Sequence, residues 1–136
     1  SADERRLYEA ARMAAVAALT KTSSSEQDGE EGKRRFEILA ALTRLRLLAC
    51  HPGLQDGSTT APSSKLRALV ELMVTLKETG HRALVFSQFV KLLELARASL
   101  EGAGLRTLML HGGTPAAERP SLVERFQSGT CDAFLI

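Results

Sequence analysis

RALVFSQFVKLLELARASLEGAGLRTLMLHGGTP, residues 82–115, decides the fold. Two short apolar runs, RALVFS at 82–87 and LRTLML at 105–110, read as buried strands. Between them Phe89, Leu92, Leu93, Ala96 and Leu100 recur at helical spacing, and Gly102 and Gly104 close the helix. A strand, a helix and a second strand form the crossover that parallel pairing requires. The pattern extends upstream. Ser63 or Ser64 caps a helix with Leu66, Leu69, Val70, Met73 and Leu76 on one face, ended by Gly80. Downstream, the turn His111-Gly112-Gly113-Thr114 leads into a helix with Pro115 at its first position. Leu122, Val123 and Phe126 form its inner face, Gly129 ends it, and residues 132–136 begin a third strand. The order α-β-α-β-α-β predicts an α/β fold with a parallel sheet covered on both sides.

The first 62 residues have another character. Leu7, Ala11, Ala14 and Ala18 predict a helix over 3–20. The stretch KTSSSEQDGEEGKR, residues 21–34, is too polar to bury much surface and is expected to be a flexible loop. Ile38, Leu42, Leu45 and Ala49 predict a helix over 35–50, stopped at Cys50-His51-Pro52 because proline pushes its predecessor out of the α region. Residues 53–62 are turn chemistry. Two regions result: a helical segment, 1–62, and an α/β segment, 63–136.

Composition excludes several functions. The chain has 136 residues, 44% hydrophobic and 25% charged, with aromatics at 4% and no Trp. Leu, Val and Ala must build the core, which suits helices on a sheet better than a β-sandwich. A net charge of +2 is too small for a protein that coats nucleic acid, so contacts to such a partner must come from a few placed groups. Cys50 and Cys131 match no metal-ligand spacing and read as two buried thiols of a reducing compartment. No apolar run approaches the ~20 residues of a membrane span. The expectation is a cytoplasmic protein (nucleoid-associated if bacterial) with no membrane partner. The apolar ending CDAFLI, residues 131–136, leads us to expect a fragment of a longer chain.

No phosphate-binding Gly-x-x-x-x-Gly-Lys-Ser/Thr or Gly-x-Gly-x-x-Gly loop is present, and His51, His81 and His111 are dispersed. What remains are polar residues at the carboxyl ends of the strands, where open α/β sheets hold ligands. After the first strand, Ser87 and Gln88 stand at a helix start, and Ser87 reads either as part of an anion site or as a simple cap. After the second, Gly112 and Gly113 permit close approach or positive φ, the Thr114 amide is expected to face a phosphate, and Arg119 reaches the same region. Two such loops at adjacent strand ends would track one sugar–phosphate backbone.

In combination these residues resemble a known family. The block 63–129 is similar to the opening of the second RecA-like lobe of SWI/SNF-type, superfamily-two DNA-translocating ATPases. The resemblance lies in Ser64-Lys65-Leu66, then Val85-Phe86-Ser87-Gln88-Phe89 as helicase motif IV, then His111-Gly112-Gly113-Thr114, Arg119 and Val123…Phe126. Leu45 to Pro52 is similar to the helix ending in Cys-His-Pro that precedes this lobe. The resemblance implies a partial RecA-like, P-loop NTPase-type three-layer lobe after a helical insertion, truncated before its end. It implies that Ser87, Gln88, Gly112, Gly113 and Thr114, with Arg119 beside them, contact the DNA backbone.

It further implies a parent that uses ATP and Mg to move along double-stranded DNA. The family's Gly-Gly-x-Gly loop and arginine-bearing helix are expected after Ile136. No catalytic, cofactor or metal residue is therefore assigned here, and the segment alone is expected not to hydrolyse ATP. The rival readings are a non-enzymatic α/β nucleotide-binding or protein-interaction module and an RNA-type helicase. The last strand is expected to leave an open edge, and with it self-association or exchange of residues 1–62 between copies.

Overall fold

The computed structural model describes residues 1–21, 30–56 and 63–136. The chain divides into two units, Ser1–Ser63 and Ser64–Ile136.

The first unit is a pair of long helices and a short one. α1 spans Ala2–Lys21, α2 Glu30–Cys50 and α3 Gly53–Asp56. Asp3 and Glu4 occupy the first turn of α1, where carboxylates favour the positive end of the helix dipole. α2 begins at Glu30, five residues before the expected start, so residues 30–34 are helical and not loop. Glu, Lys and Arg are strong helix formers, and they outweigh Gly32. The rest of the expected loop, from residue 22 to residue 29, lies outside the described residues. At the end of α2, His51 is buried and its Nδ1 accepts the Gly53 amide at 3.0 Å, which fixes the turn into α3. Burial holds the His51 imidazole below its usual range, partly opposed by Glu4.

The second unit is the α/β body. α4 spans Ser64–Glu78, β1 Ala83–Val85, α5 Val90–Gly102, β2 Thr107–Met109, α6 Arg119–Gln127 and β3 Ala133–Leu135. All strands are parallel, in the order β1-β3-β2. Leu84 and Leu108 both register with Phe134. One sheet face packs Ala133 and Leu135 with Met73 of α4, Leu93 and Leu100 of α5, and Leu105. The other packs Leu108 and Phe134 under Leu122 and Phe126 of α6. The sheet thus has helices on both faces, as the α-β alternation requires.

Three helices end alike. Gly80, Gly104 and Gly129 take φ of 76°, 78° and 82°. The residue after each donates back five positions, as in His81 N to Leu76 O at 2.8 Å. This is the left-handed cap that glycine adopts without a Cβ penalty.

The structure corrects four expectations. β3 is not an open edge but the central strand, buried throughout, because its continuous apolar run suits burial on both faces. The open edges among the described residues are β1 and β2. Pro115 does not start a helix: residues 116–118 are turns and α6 starts at Arg119, with proline at position 120. Pro120 has no amide for an α-helical bond to Ala116, so the first such bond runs from Leu122 N to Glu118 O at 3.1 Å. Of the two expected caps of α4, Ser63 makes no hydrogen bond from its buried hydroxyl among the described residues. Of the two free cysteines, Cys131 is buried but Cys50 only partly so. Among the described residues, no helix is long and apolar enough to cross a membrane.

Candidate nucleic-acid interface

The site is carried by the carboxyl ends of β1 and β2. Beyond β1 the sheet pairing continues, with Ser87 N donating to Ile136 O at 2.9 Å and Ile136 N to Val85 O at 2.9 Å. Ser87 then turns the chain: its Oγ accepts the Phe89 amide at 3.1 Å. The helix itself is capped by the backbone of Phe89, with no side-chain bond. Ser87 is therefore the pivot of the strand-to-helix turn and not the helix cap. Gln88 is carried outward on that turn and is exposed.

Beyond β2, Leu110 N donates to Leu135 O at 2.8 Å, and the chain then makes a β-turn. Thr114 N donates to His111 O at 2.9 Å, and His111 N donates to Thr114 Oγ1 at 3.0 Å. Gly113 N donates to His111 Nδ1 at 3.1 Å. The Thr114 amide, expected to face a phosphate, is thus spent inside the turn. Neither Gly112 nor Gly113 takes a positive φ. Space is tight at Gly113 instead, since a Cβ there would stand 3.0 Å from His111 Cε1 and the ring would have to give way. A Cβ on Gly112 would meet nothing within 4 Å, so nothing inside the chain demands glycine at that position.

Arg119, at the start of α6, folds back on this turn. Its Nε donates to Thr114 O at 3.1 Å, and its Nη2 lies 3.5 Å from Gly112 O. The structure therefore brings Gly112, Gly113, Thr114 and Arg119 together as one cluster. Ser87 and Gln88 form a second cluster, and β3 stands between the two strands that carry them. The strand ends are not adjacent, as first expected, but two strand spacings apart, roughly 10 Å.

Sequence reasoning missed His111 as a member of the site. The signal was present in His-Gly-Gly-Thr, where a ring nitrogen two residues before a glycine amide can close an Asx-like turn.

The opposite ends of the strands hold the acidic chemistry. Asp132 is the one buried carboxylate among the described residues. It accepts from Arg106 Nη2 at 2.9 Å and from the Arg106 amide at 2.8 Å, and Lys77 Nζ lies 3.4 Å away. The Arg106 hydrogen bonds hold it at about 2, against an opposing effect of burial. Committed to these partners, Asp132 is unsuited to hold magnesium, and among the described residues no cluster of three His, Cys, Asp or Glu could hold a metal. The described residues do not fit a magnesium site.

Residues 64–136 match the helicase conserved C-terminal domain family. The chain is 31% identical over 112 residues to the human SWI/SNF-related matrix-associated actin-dependent regulator of chromatin subfamily A member 1, covering 74% of this chain and 11% of that protein. It is 41% identical over 64 residues to Helicase SWR1 of Kluyveromyces lactis, covering 47% of this chain and 4% of that protein. The chain thus spans about a tenth or less of these relatives. Its fold is similar to the Sulfolobus solfataricus SWI2/SNF2 ATPase C-terminal domain, with a TM-score of 0.81 and 22% identity over 99% of this chain and 58% of that one. A parallel RecA-like sheet and a match across the whole α/β unit agree: the chain belongs to the helicase conserved C-terminal domain family, and within it to the SWI/SNF type.

Proposed function

We propose that this chain supplies the track-gripping part of the second motor lobe of an ATP-driven DNA translocase. Its two strand-end clusters, Ser87-Gln88 and Gly112-Gly113-Thr114 with Arg119, contact the phosphates of one strand of duplex DNA. Gln88 offers an amide, Arg119 a charge, and the exposed Gly112 a backbone that a phosphate oxygen can approach closely. Such contacts position the protein without reading sequence.

The observation that carries this reading is Gly112. Its φ is not positive and its surroundings are open, so its lack of a side chain is explained by a partner that comes close from outside. The small net charge agrees with a grip made by a few groups rather than by a general positive field.

ATP and magnesium belong, in this proposal, to other segments of the parent. The chain alone is expected to turn over no ATP and to bind duplex DNA weakly. The test is a titration of the chain with a short duplex at low salt, comparing wild type with Gln88→Ala and Arg119→Ala. Weaker binding by both variants supports the proposal; affinity unchanged in both rejects it. A clear ATPase rate from the isolated chain would reject the division of labour.

A further inference from the structure

The His111 ring has a role that the phosphate-contact reading does not use. A backbone amide can only donate, so the bond from Gly113 N at 3.1 Å requires a bare lone pair on His111 Nδ1. A ring that accepts this bond carries its proton on Nε2, and a ring with protons on both nitrogens could not accept it. The same residue closes the turn twice more, through its own amide to Thr114 Oγ1 and its carbonyl from Thr114 N. The backbone bonds hold the turn whatever the ring does. The ring bond serves one purpose only, to occupy the Gly113 amide. Gly113 is exposed, so a ligand from outside the chain can reach it.

We propose that His111 is a proton-operated latch on the Gly113 amide, resting on the phosphate-contact reading above. In the neutral state Nδ1 holds the amide. When a phosphate oxygen arrives, the ring takes one proton from solvent onto Nδ1 and can no longer accept. The Gly113 N–H is freed to donate to the phosphate, and the imidazolium adds a positive charge beside it. An anion at the turn favours the protonated ring, and the protonated ring favours the anion, so binding and proton uptake are coupled.

The surroundings leave the ring free to respond. Arg119 of α6 folds onto this turn, and its hydrogen bonds go to the carbonyls of Thr114 and Gly112, not to the ring. The neighbouring end of β3 contributes Leu135 and Ile136, both apolar. Glu118, on the turn before α6, is the carboxylate nearest in sequence, and no hydrogen bond or ion pair joins it to His111 among the described residues.

The experiment measures duplex binding by the 136-residue chain between about pH 8 and about pH 6, the range in which imidazole titrates, while NMR follows the Gly113 amide. Wild type is expected to bind more tightly as pH falls, by up to about tenfold per pH unit, the limit for uptake of one proton. His111→Asn is the matched control. Its side-chain oxygen can accept the Gly113 amide in an Asx turn but cannot titrate. It should keep the turn and lose the pH slope. An equal slope in both proteins overturns the latch, as does a Gly113 amide signal that ignores the titration of His111. If duplex DNA moves the signals of residues 87–88 and 112–114 without any pH slope, the latch alone is wrong. If it moves none of them at any pH, the phosphate-contact reading falls and the latch with it.

Discussion

Arg106 and Asp132 clasp each other at the amino ends of β2 and β3, through a side-chain bond of 2.9 Å and a bond of 2.8 Å from the Arg106 backbone amide. Because the backbone itself takes part, the clasp sets strand register and not only charge. It also lies at the opposite end of the sheet from the strand-end loops, which shows how this fold divides its labour.

That clasp predicts an acid-sensitive fold. Asp132 is held from its ordinary 3.8 down to about 2, so its folded form is the better carboxylate. The resulting stability is fully present above about pH 4 and is lost as pH falls through about 2. Asp132→Asn should cost on the order of 2 kcal/mol at neutral pH, less whatever solvent screening of the exposed Arg106 removes. Urea unfolding at neutral and acid pH checks this. A variant as stable as wild type at neutral pH would contradict it.

The two glycines of the His111 turn should behave oppositely. Gly113→Ala pushes a Cβ against the His111 ring at 3.0 Å and should disturb the turn, visible as shifted amide signals at 111–114 without DNA. Gly112→Ala meets no atom within 4 Å and should leave the free protein unchanged while weakening duplex binding several-fold. Equal DNA affinity for Gly112→Ala and wild type would remove the main support for close phosphate approach.

Arg119 and Gln88 should be separable by salt. Losing one cation from a phosphate contact lowers the slope of log affinity against log salt by about 1, whereas losing a neutral amide does not. Arg119→Ala is therefore expected to flatten the slope, and Gln88→Ala to weaken binding at constant slope.

Apolar residues on and beside β1 predict self-association. Leu84 and Phe86 remain 48% and 69% exposed on an edge strand, on the sheet face that α6 covers only over β2 and β3. Phe86→Ser should shift light scattering toward monomer and change stability by no more than about 0.5 kcal/mol. Leu100→Ala removes a side chain with 0% exposure and should instead cost about 2–5 kcal/mol. A wild-type chain that stays monomeric at high concentration would contradict the first expectation.

Much of this fold was legible because its signals are local. Gly80, Gly104 and Gly129 end helices whatever lies around them, and the spacing of Leu93, Ala96 and Leu100 marks one helix face. Strand order was not legible. β3 sits between β1 and β2 because a sheet buries its most apolar strand at its centre, a choice made between distant segments. The start of α6 was misjudged because Pro115 looks like an N1 proline, while Pro120 is the one whose missing amide fixes the boundary.

The site was legible in its residue types and not in its hydrogen bonds. Ser87 reads as a cap until the structure shows its Oγ on the Phe89 amide. Thr114 reads as an amide donor to phosphate until that amide is found on His111 O. His111 was read as part of the turn but given no role, because its ring bond to the Gly113 amide shows only in three dimensions.

The most direct test of the central claim is an NMR titration of the isotope-labelled chain with a short duplex at low salt. We predict that the signals of Ser87, Gln88, Gly112, Gly113, Thr114 and Arg119 move together, and that the shifts vanish as salt is raised. Shifts confined to the helices of residues 1–56, or none at the ends of β1 and β2, would contradict it.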